Sequence, residues 1–283
     1  MSQSKKTGIQ ISFEVFPPKK EGDFSTALQT LDQLATMDPT FISVTYGAGG
    51  SKTGKTIELA SFIQNTLHIN ALAHVTCVGF QKKDLLSVYE ELKKVNVSRI
   101  LALRGDRPQT MTDEQYNSRD FAYASEMIGF LKENTDLEIA CACYPEKHFE
   151  ATTIDEDLVH LKEKIQNGAT SMISQMFFDN TALYRFLEKL QPLNIDVPLE
   201  AGIMPITSAK QLGTSVSLSG SSVPKKLADL IATYGDDPAD MRKAGIDYAI
   251  NQIRDLEANG VKAVHIYTMN KAAHAAEILA GLN

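Results

Sequence analysis

Short β-like runs alternate with amphipathic segments along the whole chain, and this alternation restricts the possible folds more than any other feature. Segments with helical periodicity separate the runs; in Lys83–Val95, for example, apolar residues recur every three or four positions. Alternating strands and helices indicate a mostly parallel sheet, and eight such units in 283 residues favour one single-domain (β/α)8 barrel. The eight predicted strands are Ile11–Phe16, Thr40–Tyr46, Ala71–Val78, Arg99–Arg104, Glu138–Cys143, Ser171–Phe178, Leu199–Met204 and Ala263–Tyr267.

Two stretches late in the chain are predicted from their composition. The residues Thr214–Pro224 are rich in serine and contain a glycine, so we expect a mobile loop after the seventh strand. The run Asp237–Asn259 is expected to form a long helix before the eighth strand. Earlier in the chain, Gly168 follows the predicted helix Asp155–Asn167 and is expected to terminate it.

Charge and cysteine content limit the classes of function. The net charge is −7 with no basic run, which argues against nucleic acids or anionic membranes as partners. The amino-terminal residues do not resemble a signal peptide, and no apolar run has the length of a membrane span. Three cysteines without a secretion signal indicate a reducing, cytoplasmic location.

The cysteines allow one alternative to simple packing. Cys141 and Cys143 lie two apart in a predicted strand and share a face, and His74 and His148 could complete a metal site with them. Small apolar side chains filling a barrel or sheet interior are the better interpretation. We therefore predict no metal site.

Polar residues cluster at the carboxyl ends of the predicted strands. In a barrel these ends meet at one mouth, where barrel enzymes place their active sites. Glu14 is the most informative, because a carboxylate inside the apolar run of strand one is costly unless it is paired or functional. Burial would raise its pKa and suit it to act as a general acid, although a structural salt bridge would also explain it. The others are Thr45, Tyr46, His74, Thr76, Arg104, Gly105, Asp106, Tyr144, His148, Gln175 and Tyr267.

The octapeptide GGSKTGKT, residues 49–56, matches the phosphate-binding loop of nucleotide hydrolases. A β-like run precedes it and a helix-like run follows it, as that motif requires. A doubly wound nucleotide hydrolase would leave the polar ends of strands one, five and eight unexplained. A nucleotide hydrolase is therefore the alternative interpretation of this chain and not the leading one.

Ten segments, in this order, closely resemble the methylenetetrahydrofolate reductase family. The resemblance runs from about Ser12 to Asn270, and GAGGS corresponds to the family's loop after its second strand. The segments are SFEVFPPKK, FISVTYGAGGS, AHVTCVG, ILALRGDRP, YASEMI, CYPEKHFEA, LKEKIQNGA, ISQMFFD, AGIMPI and HIYTMN.

This resemblance implies an FAD-dependent barrel that reduces 5,10-methylenetetrahydrofolate to 5-methyltetrahydrofolate for methionine synthesis. NAD(P)H would donate the hydride in a ping-pong cycle at one mouth. Glu14 matches the family's general acid, whose proton would help the folate's five-membered ring to open. Asp106 matches the acid that tunes the flavin and favours the cationic iminium.

The resemblance also implies the binding residues. Gln175 corresponds to the amide that recognises the pterin ring, Gln211 to a second amide near the folate, and Lys271 to a partner for its acidic tail. Lys164 suits a diphosphate, whereas Asp157 suits a ribose or adenine hydroxyl. The expected FAD contacts are Thr45, Tyr46, Ala48, His74, Arg104, Gly105, Asp106, Tyr123, Ala124, Tyr144, His148, Ala151, Asp157, His160 and Lys164.

The chain departs from the family pattern in one respect. Some members stack an aromatic ring on the bound partner near the loop after strand seven, but no aromatic residue occurs between Phe186 and Tyr234 here. Leu212 is a candidate replacement. The chain ends soon after strand eight, as expected of a bacterial type without the regulatory domain of animal and fungal relatives, and a homo-oligomer is expected. A flavin- or folate-binding barrel without catalysis is the remaining alternative.

Overall fold

Eight parallel strands close into a barrel in the computed structural model, which describes residues 8–18, 23–46, 53–107 and 110–283. Each strand pairs with its neighbours in sequence, and the last strand pairs with the first. The strands are β1 Gln10–Val15, β2 Ile42–Val44, β3 Ala71–Thr76, β4 Arg99–Leu103, β5 Glu138–Cys143, β6 Ser171–Ser174, β7 Leu199–Ile203 and β8 Ala263–Tyr267. The predicted (β/α)8 architecture and all eight predicted strands are confirmed.

Helices connect the strands and surround the barrel. None of those in the described part of the chain is both long and apolar enough to cross a membrane. A π-helical turn, Phe62–Thr66, continues the second helix, and a 3-10 turn, Gln191–Leu193, follows the seventh. The helices are α1 Phe24–Ala35, α2 Thr53–Ser61, α3 Lys82–Lys94, α4 Asp113–Asn117, α5 Ala124–Asn134, α6 Ile154–Gln166, α7 Asn180–Leu190, α8 Ala209–Ser219, α9 Lys225–Tyr234, α10 Pro238–Ala258 and α11 Ala272–Leu282.

Apolar side chains pack in three clusters: inside the barrel, between the barrel and its helices, and where α8, α9 and α10 meet the end of β8. The inner cluster is small and contains Phe41, Leu72, Leu101, Ala140 and Ile173. The outer cluster is much larger, because alternate residues of every strand face the helices. The fully buried Cys141 and Cys143 belong to the outer cluster, so they fill the layer beneath the helices and not the barrel interior.

The prediction of a mobile loop at Thr214–Pro224 is wrong for its first half. Residues 214–219 form the end of α8, and only residues 220–224 connect it to α9. The hydroxyl of Ser208 accepts a hydrogen bond from the backbone N–H of Gln211 and caps the helix. Gly220 adopts a left-handed conformation with φ 70° and ends it. These terminal signals outweigh the low helix propensity of the serines.

The phosphate-loop motif lies at the start of α2. Residues 49–52 are outside the described residues, so only its last part can be placed. The Lys55 ammonium donates to the carbonyl of Pro18 at 3.3 Å, and the buried Thr56 hydroxyl donates to the carbonyl of Thr45 at 3.0 Å. A nucleotide hydrolase needs both groups for phosphate and Mg²⁺, and it needs an open sheet in place of this closed barrel. Neither observation supports that alternative.

Candidate active site

A large cavity of about 1380 Å³ opens at the carboxyl ends of the barrel strands. Parallel strands that all point one way bring residues from distant parts of the chain to this mouth. Eight residues predicted to be functional line the cavity together: Glu14, Thr45, Tyr46, His74, Gly105, Asp106, Tyr144 and Gln175. Asp106 is exposed at the rim, whereas Glu14 and His74 lie deep in the barrel.

Glu14 projects into the barrel from β1 and lies between two histidines. Its Oε2 atom is 3.6 Å from Nε2 of His74 and 4.0 Å from Nε2 of His265, and its side chain is 21% exposed. Burial raises the pKa of Glu14 to about 8. The carboxyl group therefore holds its proton at neutral pH, as a general acid must.

The two histidines remain neutral and do not form salt bridges with this carboxyl group. Burial lowers the pKa of His74 to about 3 and, together with the nearby His74, lowers that of His265 to about 3. Nε2 of His74 is buried and has no hydrogen-bond partner within the described part of the protein. A buried ring nitrogen without a partner costs free energy, so this atom is well placed to bond a ligand in the cavity.

Two glycines shape the walls of the site. Gly105 has φ 81°, and a Cβ atom there would lie 2.8 Å from Cβ of Thr76, so only glycine lets this backbone lie against Thr76 in the cavity wall. A Cβ atom at Gly202 would lie 2.7 Å from the hydroxyl of Tyr267. That hydroxyl reaches past β7 and donates to the carbonyl of Ser174 in β6 at 2.6 Å, which fixes the Tyr267 ring in the cavity wall.

A second group of predicted residues lies beside the cavity and joins it through Tyr144. The Tyr144 ring is in edge contact with the imidazole of His148 at 4.8 Å, and the Lys164 ammonium lies 5.8 Å from the same ring. The ring of Tyr123 stacks on that of His160 with the planes 12° apart. This group could extend a binding surface from the mouth towards the amino-terminal ends of α5 and α6.

The cations of this second group already have protein partners. Arg104 makes a paired contact with the Glu150 carboxylate, at 2.5 and 2.7 Å. Lys164 donates to the carbonyl of Ala142 at 2.6 Å. The buried Asp157 carboxylate accepts from the backbone N–H of His148 at 3.2 Å, and burial raises its pKa. An incoming anion would have to share or replace these contacts.

Several predicted residues do not line the main cavity. Gln211 and Lys271 line a small separate cavity behind β8. The Gln211 amide is engaged at both ends, since it accepts from the backbone N–H of Thr207 at 2.9 Å and donates to the carbonyl of Pro205 at 2.9 Å. Ala124 begins α5, and the carbonyl of Ala151 accepts from Lys147. Ala48 lies outside the described residues.

The sequence prediction omitted a set of polar residues inside the barrel. Ser12 and Ser43 contact the imidazole of His265, and Ser12 also contacts the carboxyl group of Glu200. The alternation of each strand could have located them, because Ser12 lies two residues before Glu14 and His265 two before Tyr267. Among the described residues, no three His, Cys, Asp or Glu side chains are grouped so as to hold a metal ion.

A family model described as methylenetetrahydrofolate reductase matches residues 1–283. The chain belongs to the methylenetetrahydrofolate reductase family. Membership makes it an oxidoreductase of folate metabolism, and the family reaction is reduction of methylenetetrahydrofolate to methyltetrahydrofolate. It also confirms the resemblance found in the ten ordered segments.

Similar proteins in other organisms support this membership. The 5,10-methylenetetrahydrofolate reductases of Pectobacterium carotovorum and Escherichia coli K12 are 33% and 32% identical to this chain. Each match covers 93% of this chain and 87% of the relative. Methylenetetrahydrofolate reductase (NADH) 1 of Arabidopsis thaliana is 29% identical, over 96% of this chain and 48% of the plant protein.

Solved structures share the fold at low sequence identity. An uncharacterized Clostridium thermocellum protein, which binds two copies of 5-methyl-5,6,7,8-tetrahydrofolic acid, superposes with a TM-score of 0.64 at 15% identity. That match covers 98% of this chain and 94% of the other. A 2,3-dimethylmalate lyase superposes with a TM-score of 0.53 at 9% identity, over 96% and 78% of the two chains. At these identities the likeness concerns the barrel alone.

Proposed function

We propose that the chain is an FAD-dependent reductase that uses NAD(P)H to convert 5,10-methylenetetrahydrofolate into 5-methyltetrahydrofolate. The observation that carries the proposal is a carboxyl group, Glu14, which keeps its proton at neutral pH at the bottom of a large cavity. The methyl group of the product would serve methionine synthesis. The three cysteines are buried and unpaired, in keeping with a cytoplasmic enzyme.

The cavity has features that suit a flavin. Among the described residues His74 offers a buried ring nitrogen without a partner, and Gly105 lines the cavity without a side chain. Thr45, Tyr46 and Tyr144 would complete the walls around the ring system. Bound FAD would supply the chemistry that takes a hydride from the nicotinamide nucleotide and passes it to the folate.

The second group of residues would hold the remainder of the cofactor. Tyr123 and His160 present a stacked pair of rings, and Arg104 and Lys164 present positive charge for the diphosphate. Because Arg104 is bonded to Glu150 in this structure, we expect it to share its guanidinium between that carboxylate and a phosphate. Asp157, Ala124, His148 and Ala151 stay assigned to this part of the site by the family resemblance.

The chain's own residues would supply the acid chemistry and the orientation of the folate. Proton donation from Glu14 to the leaving nitrogen would open the five-membered ring of the substrate. The exposed carboxylate of Asp106 would favour the cationic iminium that results. Gln175 lines the same cavity and would orient the pterin through hydrogen bonds, while Gln211 and Lys271 would act only if the small cavity behind β8 opens.

An absorption spectrum of the purified protein tests the proposal. We expect flavin bands that bleach when NADH or NADPH is added without oxygen and return when methylenetetrahydrofolate follows. The nucleotide that bleaches the bands faster is the physiological donor. A colourless protein that takes up no added FAD would overturn the proposal. Full flavin occupancy without either half-reaction would instead indicate a binding barrel that lacks catalysis.

A further inference from the structure

The main cavity has two sides, which come from different strands. The first side comes from β2 to β5 and carries residues proposed for the flavin, such as His74 and Gly105. The second side comes from β6, β7 and β8, where Met176, Met204 and Tyr267 line the cavity. Because the strands close in sequence order, the two sides face each other across the mouth.

Glu14 lies between these two sides. Its strand, β1, pairs with β2 in one direction and with β8 in the other. A hydride passes only between rings that are in contact, so a partner of the flavin must bind directly against it. If the first side holds the flavin, the space left for that partner lies between the flavin and the second side, within reach of Glu14.

Met176 follows β6 and has a fixed backbone. Its N–H donates to Oε1 of Gln175 at 2.9 Å, and its carbonyl accepts from the buried Ser221 hydroxyl at 2.6 Å. The side chain is partly buried against the cluster of α8, α9 and α10 and lines the cavity. The backbone is therefore held in place while the side chain forms part of the cavity surface.

Met204 is the first residue after β7 and also lines the cavity. Its Sδ atom accepts a hydrogen bond from Nε2 of Gln211 at 3.4 Å. Leu212 and Leu227 belong to the same cluster as Met204 and support it from the helices. Leu212, the candidate from sequence for contact with the bound partner, is buried in this cluster and is not among the described residues that line the cavity.

Methionine suits a surface that must contact two different rings in turn. Its side chain is unbranched and polarizable, and its sulfur makes favourable contacts with aromatic rings. A nicotinamide has one ring and a pterin has two, so a rigid surface would fit one partner better than the other. Tyr267 on the same side is rigid by comparison, because its hydroxyl donates to the carbonyl of Ser174 at 2.6 Å.

We propose that Met176 and Met204 form one binding surface, the methionine face, for the nicotinamide ring of NAD(P)H and then for the pterin ring of the folate. The inference rests on the proposed function, in which both partners use the same mouth. The methionine face binds and orients each ring against the flavin. It transfers neither proton nor hydride, and it does not contact the flavin.

Leucine variants test the methionine face by kinetics. Met176→Leu and Met204→Leu nearly conserve the volume of the side chain and remove its sulfur, so the fold should tolerate them. The ring contact is present both before and during hydride transfer. Its loss should therefore raise the KM of the nucleotide and of methylenetetrahydrofolate by about two- to tenfold in each variant, with kcat unchanged. The flavin content of the protein should equal that of the wild type.

The matched control is Met37→Leu. Met37 follows α1 and is partly buried against the outer cluster, far from the mouth in the order of the chain and absent from the cavity lining. Both of its KM values should equal those of the wild type. If Met176→Leu and Met204→Leu lower kcat or flavin content and leave both KM values unchanged, their role is structural and the inference is overturned.

NMR of protein labelled with ¹³C-methyl methionine gives a direct readout. We would compare reduced enzyme with added 5-methyltetrahydrofolate and oxidised enzyme with added NAD⁺ or NADP⁺, because neither mixture has a hydride to exchange. An aromatic ring stacked on a methyl group shields it, so the signals of Met176 and Met204 should move upfield in both complexes. Met172 is buried in the outer cluster and its signal should not move. The leucine variants assign the signals.

The outcomes separate this inference from the proposed function. Signals of Met176 and Met204 that move in only one complex, or in neither, would overturn the shared surface, and an enzyme that still reduces folate would leave the proposed function intact. Signals that move in both complexes of a protein without turnover would support the surface and overturn the proposed catalysis. A protein that binds neither flavin nor folate would overturn both.

Discussion

At the scale of single residues, the protonated carboxyl of Glu14 should separate the two half-reactions. Glu14→Gln keeps the shape of the side chain but cannot donate the proton that opens the folate ring. We expect folate reduction to fall by about a hundredfold or more, while flavin reduction by the nicotinamide nucleotide stays close to wild type. Stopped-flow spectroscopy of each half-reaction measures the two rates independently.

The wild-type enzyme provides a second check on the same residue. Because burial raises the pKa of Glu14 to about 8, the folate half-reaction should slow as pH rises through that value.

The control for the Glu14→Gln variant is Glu90→Gln, which replaces an exposed carboxylate on α3 and should alter neither half-reaction. An equal loss of both half-reactions in Glu14→Gln would show that the carboxyl group does not act as the acid.

At the scale of the strands, Gly202 in β7 allows the Tyr267 side chain to pass over this strand from β8 to β6. A Cβ atom at this position would lie 2.3 Å from the carbonyl oxygen of Ser174 and 2.7 Å from the Tyr267 hydroxyl. Gly202→Ala should therefore destabilise the protein by about 1–3 kcal/mol, because the backbone of β6 cannot move away. Urea unfolding monitored by circular dichroism measures the change.

Gly213 is the matched position for this experiment. It lies on the exposed face of α8, and a Cβ atom there would have no neighbour within 4 Å. Gly213→Ala should stabilise the protein by about 0.5–1 kcal/mol, since alanine restricts the unfolded chain and favours the helix. A similar loss of stability in both variants would mean that the Gly202 contact with Ser174 is not the cause.

The strands could be predicted from sequence because each one is a short run of apolar and β-branched residues, and polar residues within these runs located the functional ends of β1 and β3. Helix α8 could not be predicted, because its stability comes from Ser208 and Gly220 at its ends and its sequence between them is weakly helical. The contact between Ser12 and His265 could not be predicted either, because it depends on the register in which β1 pairs with β8. That pairing closes the barrel and brings together two residues that are 253 positions apart.

The position of Gln211 shows a further limit of sequence comparison. The motif AKQL matches Gln211 to a family position, but it does not say where the side-chain amide points. Here the amide points into the turn that precedes α8, where it accepts a hydrogen bond from Thr207 and donates one to Pro205. The lining of the main cavity by Glu14, His74 and Gln175 follows from strand order alone. Residues on strand ends were therefore easier to place than residues on the helices that follow them.

At the scale of the whole molecule, the buried ionisable groups should give the stability an optimum in mildly acidic solution. Native Glu14 and Glu200 hold protons up to about pH 8 and about pH 7, whereas their usual pKa is 4.5. Native His74 and His265 stay unprotonated down to about pH 3, whereas their usual pKa is 6.5. Because these carboxyl groups and histidines titrate differently in the native and unfolded states, the two states bind different numbers of protons. The free energy of unfolding therefore depends on pH.

The free energy of unfolding changes with pH in a different way in each of three pH ranges. Above pH 6.5 the native state holds the two carboxyl protons that the unfolded chain has released, so stability falls as pH rises to about 8. Between pH 4.5 and 6.5 the unfolded chain binds two protons on the histidines while the native state keeps two on the carboxyl groups, and the two effects cancel. Below pH 4.5 the unfolded chain binds more protons than the native state, so stability falls again as pH drops.

Urea unfolding of the flavin-free protein at a series of pH values tests this expectation. Above pH 6.5, which is the alkaline limb, the free energy of unfolding should fall by at most about 1.4 kcal/mol per pH unit for each proton that the native state retains. Glu14→Gln removes one of the two retained protons and should make this limb less steep. Exposed carboxylates whose pKa is lowered by hydrogen bonds, such as Glu156 and Asp237, should steepen the acid limb without affecting the alkaline one. A stability that stays constant from pH 6.5 to 8 would mean that Glu14 and Glu200 are ionised in the folded protein. The acid role of Glu14 would then have to depend on the bound ligands to raise its pKa.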